Sequence, residues 1–388
     1  DVACDHYHRL ESDLDIMARI GLEAYRFSIS WPRIQPKGKG RLNPKGLAFY
    51  DRLIDGLLAR NIAPHLTLYH WDLPQALQND GGWLARDTVM RFADYAHTVA
   101  EKFGDRAQYI VTHNEPWVVA ILGHENGMFA PGIKDRKISW QVSHHLLLSH
   151  GLAVQAMRSL NKKIEFGIAL NLAPIQSLTK EAASVSRAKL EDGILVRWYI
   201  DPLLRGEYPA DILAHLGTDA PEVKSGDFKA ITTPIDFLGI NYYSRNVVDT
   251  TQQQLMQQGS LGFTDMGWEV YPSGLVELCT RLKNDYKNLP PIYITENGAA
   301  YPDKVEGEHI HDHKRVEYLR LHADAVADAI AGGVDIRGYF VWSLFDNFEW
   351  AFGYTKRFGI VYVDYQSQKR ILKDSALWYN NFITSQKK

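Results

Sequence analysis

Ile292-Tyr-Ile-Thr-Glu-Asn-Gly298 is a short β-rich run that stops on a carboxylate and a glycine. Ile292 and Ile294 alternate with Tyr293 and Thr295, Pro290 and Pro291 precede them, and Gly298 is read as permitting the turn that follows. The stretch therefore predicts a buried strand ending at Glu296. An ionisable group at the mouth of such a strand is costly unless it has partners or chemistry to perform. Taken alone, it is equally a solvated carboxylate beside a turn.

Tyr109-Ile-Val-Thr-His-Asn-Glu-Pro116 repeats the design, with a second β-rich run ending in a polar cluster and Glu115, closed by Pro116. Both glutamates thus sit at the C-terminal end of a strand, where a parallel barrel gathers its functional side chains. Two carboxyl groups facing each other are what hydrolysis of a glycosidic bond requires, one as nucleophile and one as acid and then base.

Outward from these two runs, strand-like and helix-like segments alternate, the pattern of an α/β fold with a parallel sheet. The predicted strands are 24–31, 62–71, 109–114, 165–171, 237–243, 292–296 and 338–344. Asn43 caps and Pro44 opens a helix with Leu47, Tyr50, Leu53, Ile54, Leu57 and Leu58 on one stripe. Another helix runs from Asp87 to Gly104, and more are predicted at 143–160, 180–199, 274–286, 313–331 and 375–384. The Gln-rich stretch 251–259 reads as an exposed loop. With 388 residues, 45% of them hydrophobic, and no repeat or long linker, the chain reads as one domain spanning 1–388.

A net charge of -3 excludes a polycationic nucleic-acid-binding surface. No apolar run is long enough to cross a membrane. Two cysteines, Cys4 and Cys279, provide no metal spacing and suit a reducing, cytoplasmic compartment. The 10 Trp and 20 Tyr, with many tryptophans at predicted strand ends, suit stacking on sugar rings as well as ordinary packing.

The pair Thr112-His-Asn-Glu-Pro116 and Ile294-Thr-Glu-Asn-Gly298 resembles glycoside hydrolase family 1, the retaining β-glucosidases and their relatives. The resemblance implies a TIM (β/α)8 barrel, with Glu296 as nucleophile and Glu115 as acid and base. It places Arg26 against the nucleophile, keeping it ionised, Asn114 on the 2-hydroxyl of the bound sugar, and Tyr243, not Tyr242, in a hydrogen bond to the nucleophile. His70 and Trp71, in Leu68-Tyr-His-Trp-Asp-Leu-Pro74, are expected at the sugar, and Asn171 is a weaker candidate for supporting the acid and base. In Val341-Trp-Ser-Leu-Phe-Asp-Asn-Phe-Glu-Trp350, Trp342 is expected as floor, Glu349 as acceptor from the 4- and 6-hydroxyls, and Trp350 as a stacking neighbour. Trp268 is expected to line the outer pocket. Because a carboxylate repels a 6-phosphate, Glu349 argues against a 6-phosphosugar and for unphosphorylated glucose, galactose or fucose.

The family opens with a strand resembling Trp-Gly-x-Ala-Thr followed by Tyr-Gln, and no such stretch occurs here. Seven strands are read where a closed barrel has eight. The chain is therefore expected to be a family member lacking its first strand and the glutamine that holds sugar hydroxyls, with a fragment or truncated gene as the leading explanation. The strands at Ala24 and Gly338 are then expected to expose edges. Distortion can close such a gap, a neighbouring chain or other segment can fill it, and the edges offer a route to self-association.

The substrate expected is a small oligosaccharide or an aryl or alkyl β-glycoside, with no cofactor. The alternative is a sugar-binding or scaffold protein impaired in turnover by the missing strand. His309, His311 and His313 alternate ahead of a helix without carboxylate or cysteine company, Asp5, His6 and His8 are similar, and no metal is assigned to either group.

Overall fold

The computed structural model describes residues 2–387. Seven strands form one sheet, β1 (Ala24–Ser28), β2 (Ala63–Tyr69), β3 (Tyr109–Asn114), β4 (Glu165–Asn171), β5 (Phe237–Asn241), β6 (Ile292–Asn297) and β7 (Ile336–Val341). Each pairs in parallel with the next in sequence. Parallel neighbours need crossovers, and helices supply them on the outside of the curved sheet. All seven predicted strands are present, each within a few residues of its expected limits.

The differences have local causes. The first strand stops at Ser28 because Pro32, near the start of the helical turn Trp31–Ile34, favours a helix entrance there. The helix predicted from residue 143 begins at Arg136, where Asp135 accepts from the Ile138 amide at 3.0 Å. The predicted helix 180–199 is broken into Ala182–Asp192, a wider turn at Gly193–Arg197 and Trp198–Leu204. The Gln-rich segment read as a loop holds a helix, Gln252–Gln257, closed by a capping box in which Thr251 and Gln254 satisfy each other's backbone amides. A first helix, Leu10–Ile20, buries Leu10, Leu14 and Met17. Two short two-stranded sheets add Ile175–Ser177 with Asn246–Val248 and Val361–Val363 with Arg370–Leu372.

Gly298 does not adopt the left-handed conformation that would mark it as a turn glycine. Its requirement is space, since a Cβ there would lie 1.8 Å from the Trp342 carbonyl oxygen. This close approach brings the end of β6 against the end of β7, so the Glu296 and Trp342 loops share a rim.

The sheet curls into a barrel that remains open on one side. Among the described residues neither the outer edge of β1 nor that of β7 has a strand partner. A cavity of about 750 Å³ lies between them, lined by Tyr25 and Phe27 on one wall and Tyr339 and Val341 on the other. It reaches inward to His65 and upward to Arg26, His70 and Trp342. The gap therefore does not close by distortion, because closure would force β1 and β7 to trade the tilt that pairs them with β2 and β6 for contacts with each other.

Candidate active site

The strand ends deliver the two glutamates to the same rim. The ladder between β3 and β4 shifts register between Val111 and Asn114, and that between β6 and β7 shifts between Ile294 and Asn297. Irregularities of this kind re-aim side chains at the end of a ladder. Glu115 and Glu296 are 7% and 4% exposed. Glu115, Trp71 and Trp350 all hold positive φ, at 49°, 84° and 43°, a region costly for residues with a Cβ. Strain concentrated at one rim marks that rim as the place where geometry is being imposed.

A continuous hydrogen-bond chain joins the two carboxyls. Arg26 Nη1 donates to Glu296 Oε1 at 2.7 Å, and Arg26 Nη2 donates to Asn114 Oδ1 at 2.6 Å. Asn241 Nδ2 donates to the same Asn114 oxygen at 3.0 Å and to Glu115 Oε1 at 2.7 Å. The orientation of the Asn241 amide is fixed because the Thr295 hydroxyl donates to its Oδ1 at 2.7 Å. On the other side the Tyr243 hydroxyl donates to Glu296 Oε2 at 2.6 Å, while the Tyr242 hydroxyl turns away to the Tyr271 carbonyl. Both oxygens of Glu296 are thus held by donors suited to an anion.

Glu115 sits in the opposite environment. Burial, then the charge of Glu296, push its pKa far above the usual carboxylate range, so the protonated form persists at neutral pH. The one cation at the pair is bonded to Glu296, so the two buried carboxyls sit in unlike environments.

His70 is kept neutral, its pKa lowered to about 3 by burial and then by Arg26. Because Asn114 Oδ1 accepts from Arg26 and Asn241, the Asn114 amide nitrogen faces His70 Nε2 at 3.2 Å and donates to it. The ring proton then resides on Nδ1. Trp71 Nε1 donates to the Asn114 carbonyl at 2.8 Å. His70 stacks 5.8 Å from Trp342 and 5.9 Å from Trp350, and Trp71 lies 4.6 Å from Trp350, so an aromatic wall faces the carboxyls. Trp268 packs 5.1 Å from Tyr243 on the outer side. Glu349 is partly buried, with its pKa raised to about 7 by burial and then by Glu296.

The fold brings Arg26, His70, Trp71, Asn114, Glu115, Tyr243, Glu296, Trp342, Glu349 and Trp350 to one rim. Asn171 is the exception. Among the described residues no hydrogen bond joins its side chain to Glu115, and the amide that does so belongs to Asn241, its partner in the β4–β5 ladder. Sequence reasoning missed Asn241 although a signal existed. It lies two residues before Tyr243, so an extended backbone gives both the same face. Thr295 was read only as the alternating partner of Ile294 and also holds the network.

A parallel α/β barrel with an acid–anion glutamate pair at the strand ends and a tryptophan-lined wall defines a glycoside hydrolase. The family model for glycosyl hydrolase family 1 matches residues 1–388, and the chain belongs to that family. It is 46% identical to the 1,4-beta-D-glucan glucohydrolase of Thermotoga neapolitana, over 99% of this chain and 87% of that protein. It is 46% identical to beta-glucosidase A of Acetivibrio thermocellus, over 99% and 88% of the two chains. The Thermotoga maritima beta-glucosidase in complex with glucoimidazole superposes with a TM-score of 0.94 at 45% identity, covering 99% of this chain and 88% of that one.

Proposed function

We propose that the protein is a retaining β-glycosidase acting on terminal unphosphorylated β-D-glucosides, with galactosides and fucosides as further substrates. The observation that carries this reading is the chain Glu296–Arg26–Asn114–Asn241–Glu115, which binds the one cation to Glu296 and leaves Glu115 with a neutral amide. Glu296 attacks the anomeric carbon as the Glu115 proton passes to the leaving oxygen. Glu115, now a carboxylate, takes a proton from the water that cleaves the glycosyl ester, and Glu296 leaves as the carboxylate it was. Asn114 holds the 2-hydroxyl with the amide hydrogen not spent on His70, a contact that strengthens as positive charge builds at the anomeric carbon. Trp342 forms the floor, with Trp71 and Trp350 at its side.

Glu349 accepts from the 4- and 6-hydroxyls. With its pKa near 7, it loses charge on the acid side of neutrality and then donates as well as accepts. Support for glucosides comes from the relatives' names, among them a bifunctional beta-D-glucosidase/beta-D-fucosidase of Bifidobacterium breve, 44% identical over 99% of this chain. Two free cysteines favour a reducing cytoplasm as the setting.

A second reading is a sugar-binding protein impaired in turnover, favoured by the open side between β1 and β7. There Arg26 Nε is buried beside the cavity with no hydrogen-bond partner among the described residues. Proton NMR of a fresh aryl β-glucoside digest separates these readings. The proposal expects β-glucose as the first-formed anomer; α-glucose would mean inversion, and sugar binding without product would favour the second reading.

A further inference from the structure

The end of the loop after β6, the first residue of the helix His313–Ala331 that follows it, and the start of the last helix, Asp374–Gln386, bring two histidines and an aspartate together. The sequence places Asp312 between these histidines, but Asp312 is buried and paired with Arg315, and the fold supplies Asp374 as the carboxylate on their side. His311 Nδ1 lies 2.9 Å and His313 Nδ1 3.8 Å from Asp374 Oδ2, and one ligand atom from each residue falls within 4.8 Å of the others. We propose that His311, His313 and Asp374 form a surface site for a divalent transition ion of the zinc class.

The ligand chemistry selects that class. Two imidazoles and one carboxylate suit zinc, nickel or copper, whereas calcium and magnesium require oxygen. Zinc bonds of about 2.0 to 2.2 Å in a tetrahedron set neighbouring ligand atoms about 3.4 Å apart, and the distances to the shared oxygen fall on either side of that value. Water completes the coordination, since all three side chains reach solvent.

The site is also preorganised. Ile310 and Asp312 point inward and are buried, which turns the alternating His311 and His313 outward as near-parallel rings 5.8 Å apart. Beneath them the Asp374 amide donates to the Ile310 carbonyl at 3.1 Å, and the Ser375 amide donates to Asp312 Oδ1 at 2.8 Å. Asp312 is paired with the buried Arg315, and Lys373 bonds Asp303 at 2.5 Å and Asp346 at 2.9 Å. Loop and helix are therefore already held together, and the ion needs only small side-chain rotations. Its effect is to clamp the loop after the Glu296 strand to the last helix.

Calorimetric titration of the full chain with zinc chloride, beside a thermal melt, tests the site. The expected result is one saturable zinc site that raises Tm. His311→Ala and His313→Ala should each weaken binding at least tenfold and abolish the Tm rise, while the exposed His215→Ala leaves both unchanged. All three substitutions are on the surface, and circular dichroism checks that each variant folds. No zinc binding by the parent, or parent-like binding by both His311→Ala and His313→Ala, overturns the proposal.

Discussion

At the scale of single residues, the opposite protonation of two neighbouring carboxyls is the feature to test. The Glu296 charge is the second cause raising the pKa of Glu115, after burial. Glu296→Gln removes that charge, so the Glu115 pKa should fall toward the ordinary carboxylate range, read by carbon-13 NMR of labelled glutamate. An unchanged or higher value would contradict the assignment. In the parent, the proton donor is the protonated form of Glu115, so activity should persist through neutral pH and decline only as pH rises through the elevated pKa. Glu115→Gln should cost about 10² to 10⁴ in kcat on alkyl glucosides and less on nitrophenyl glucosides, whose leaving group needs little protonation. Equal losses on both would argue against Glu115 as the donor.

At the scale of elements, the sequence carried the strands and their C-terminal residues because burial on both faces imposes a continuous β-rich run that a carboxylate then interrupts. Glu115 and Glu296 were legible in this way, and Arg26 through the family resemblance. Asn241 was missed, although its place two residues before Tyr243 on an extended backbone sets both on one face; only the relative rotation of β4 and β5 shows that it, and not Asn171, meets Glu115. The helix at Gln252–Gln257 was hidden by composition, although Thr251 and Gln254 have the capping-box spacing. Gly298 was read as a turn and is a contact point between two strands.

Two outcomes follow at this scale. Thr295→Val removes the hydroxyl that orients Asn241 and should lower kcat roughly fivefold, for about 1 kcal/mol, with KM little changed. A change confined to KM would mean that Thr295 acts on binding alone. Gly298→Ala, forced against the Trp342 carbonyl, should destabilise the fold by about 3 kcal/mol in urea unfolding. Parent-like stability would show that the β6 and β7 ends can separate without cost.

At the scale of the whole molecule, the open side between β1 and β7 is the departure from a closed barrel. Among the described residues no eighth strand joins the sheet, in keeping with the motif absent from the sequence, but what the edges do was not legible, because edge geometry depends on every strand's tilt. Unpaired edges beside an apolar cavity template pairing with other chains. Light scattering across a range of concentrations should show species heavier than the 44.2 kDa chain as concentration rises. A strictly monomeric protein at every concentration would show that residues 2–7, which line the cavity, protect the edges well enough. The cavity also reaches Arg26 and Trp342, so water can approach the sugar site from the side, and turnover is where its effect would register.

Release of nitrophenol from an aryl β-glucoside, by protein of verified intact mass and by its Glu296→Ala variant in parallel, addresses the central claim most directly. Turnover by the parent that disappears in the variant is the predicted result, and it would mean that seven strands hold two carboxyls in working register. Equal activity in both, or none in a folded parent that still binds glucose, would contradict the account.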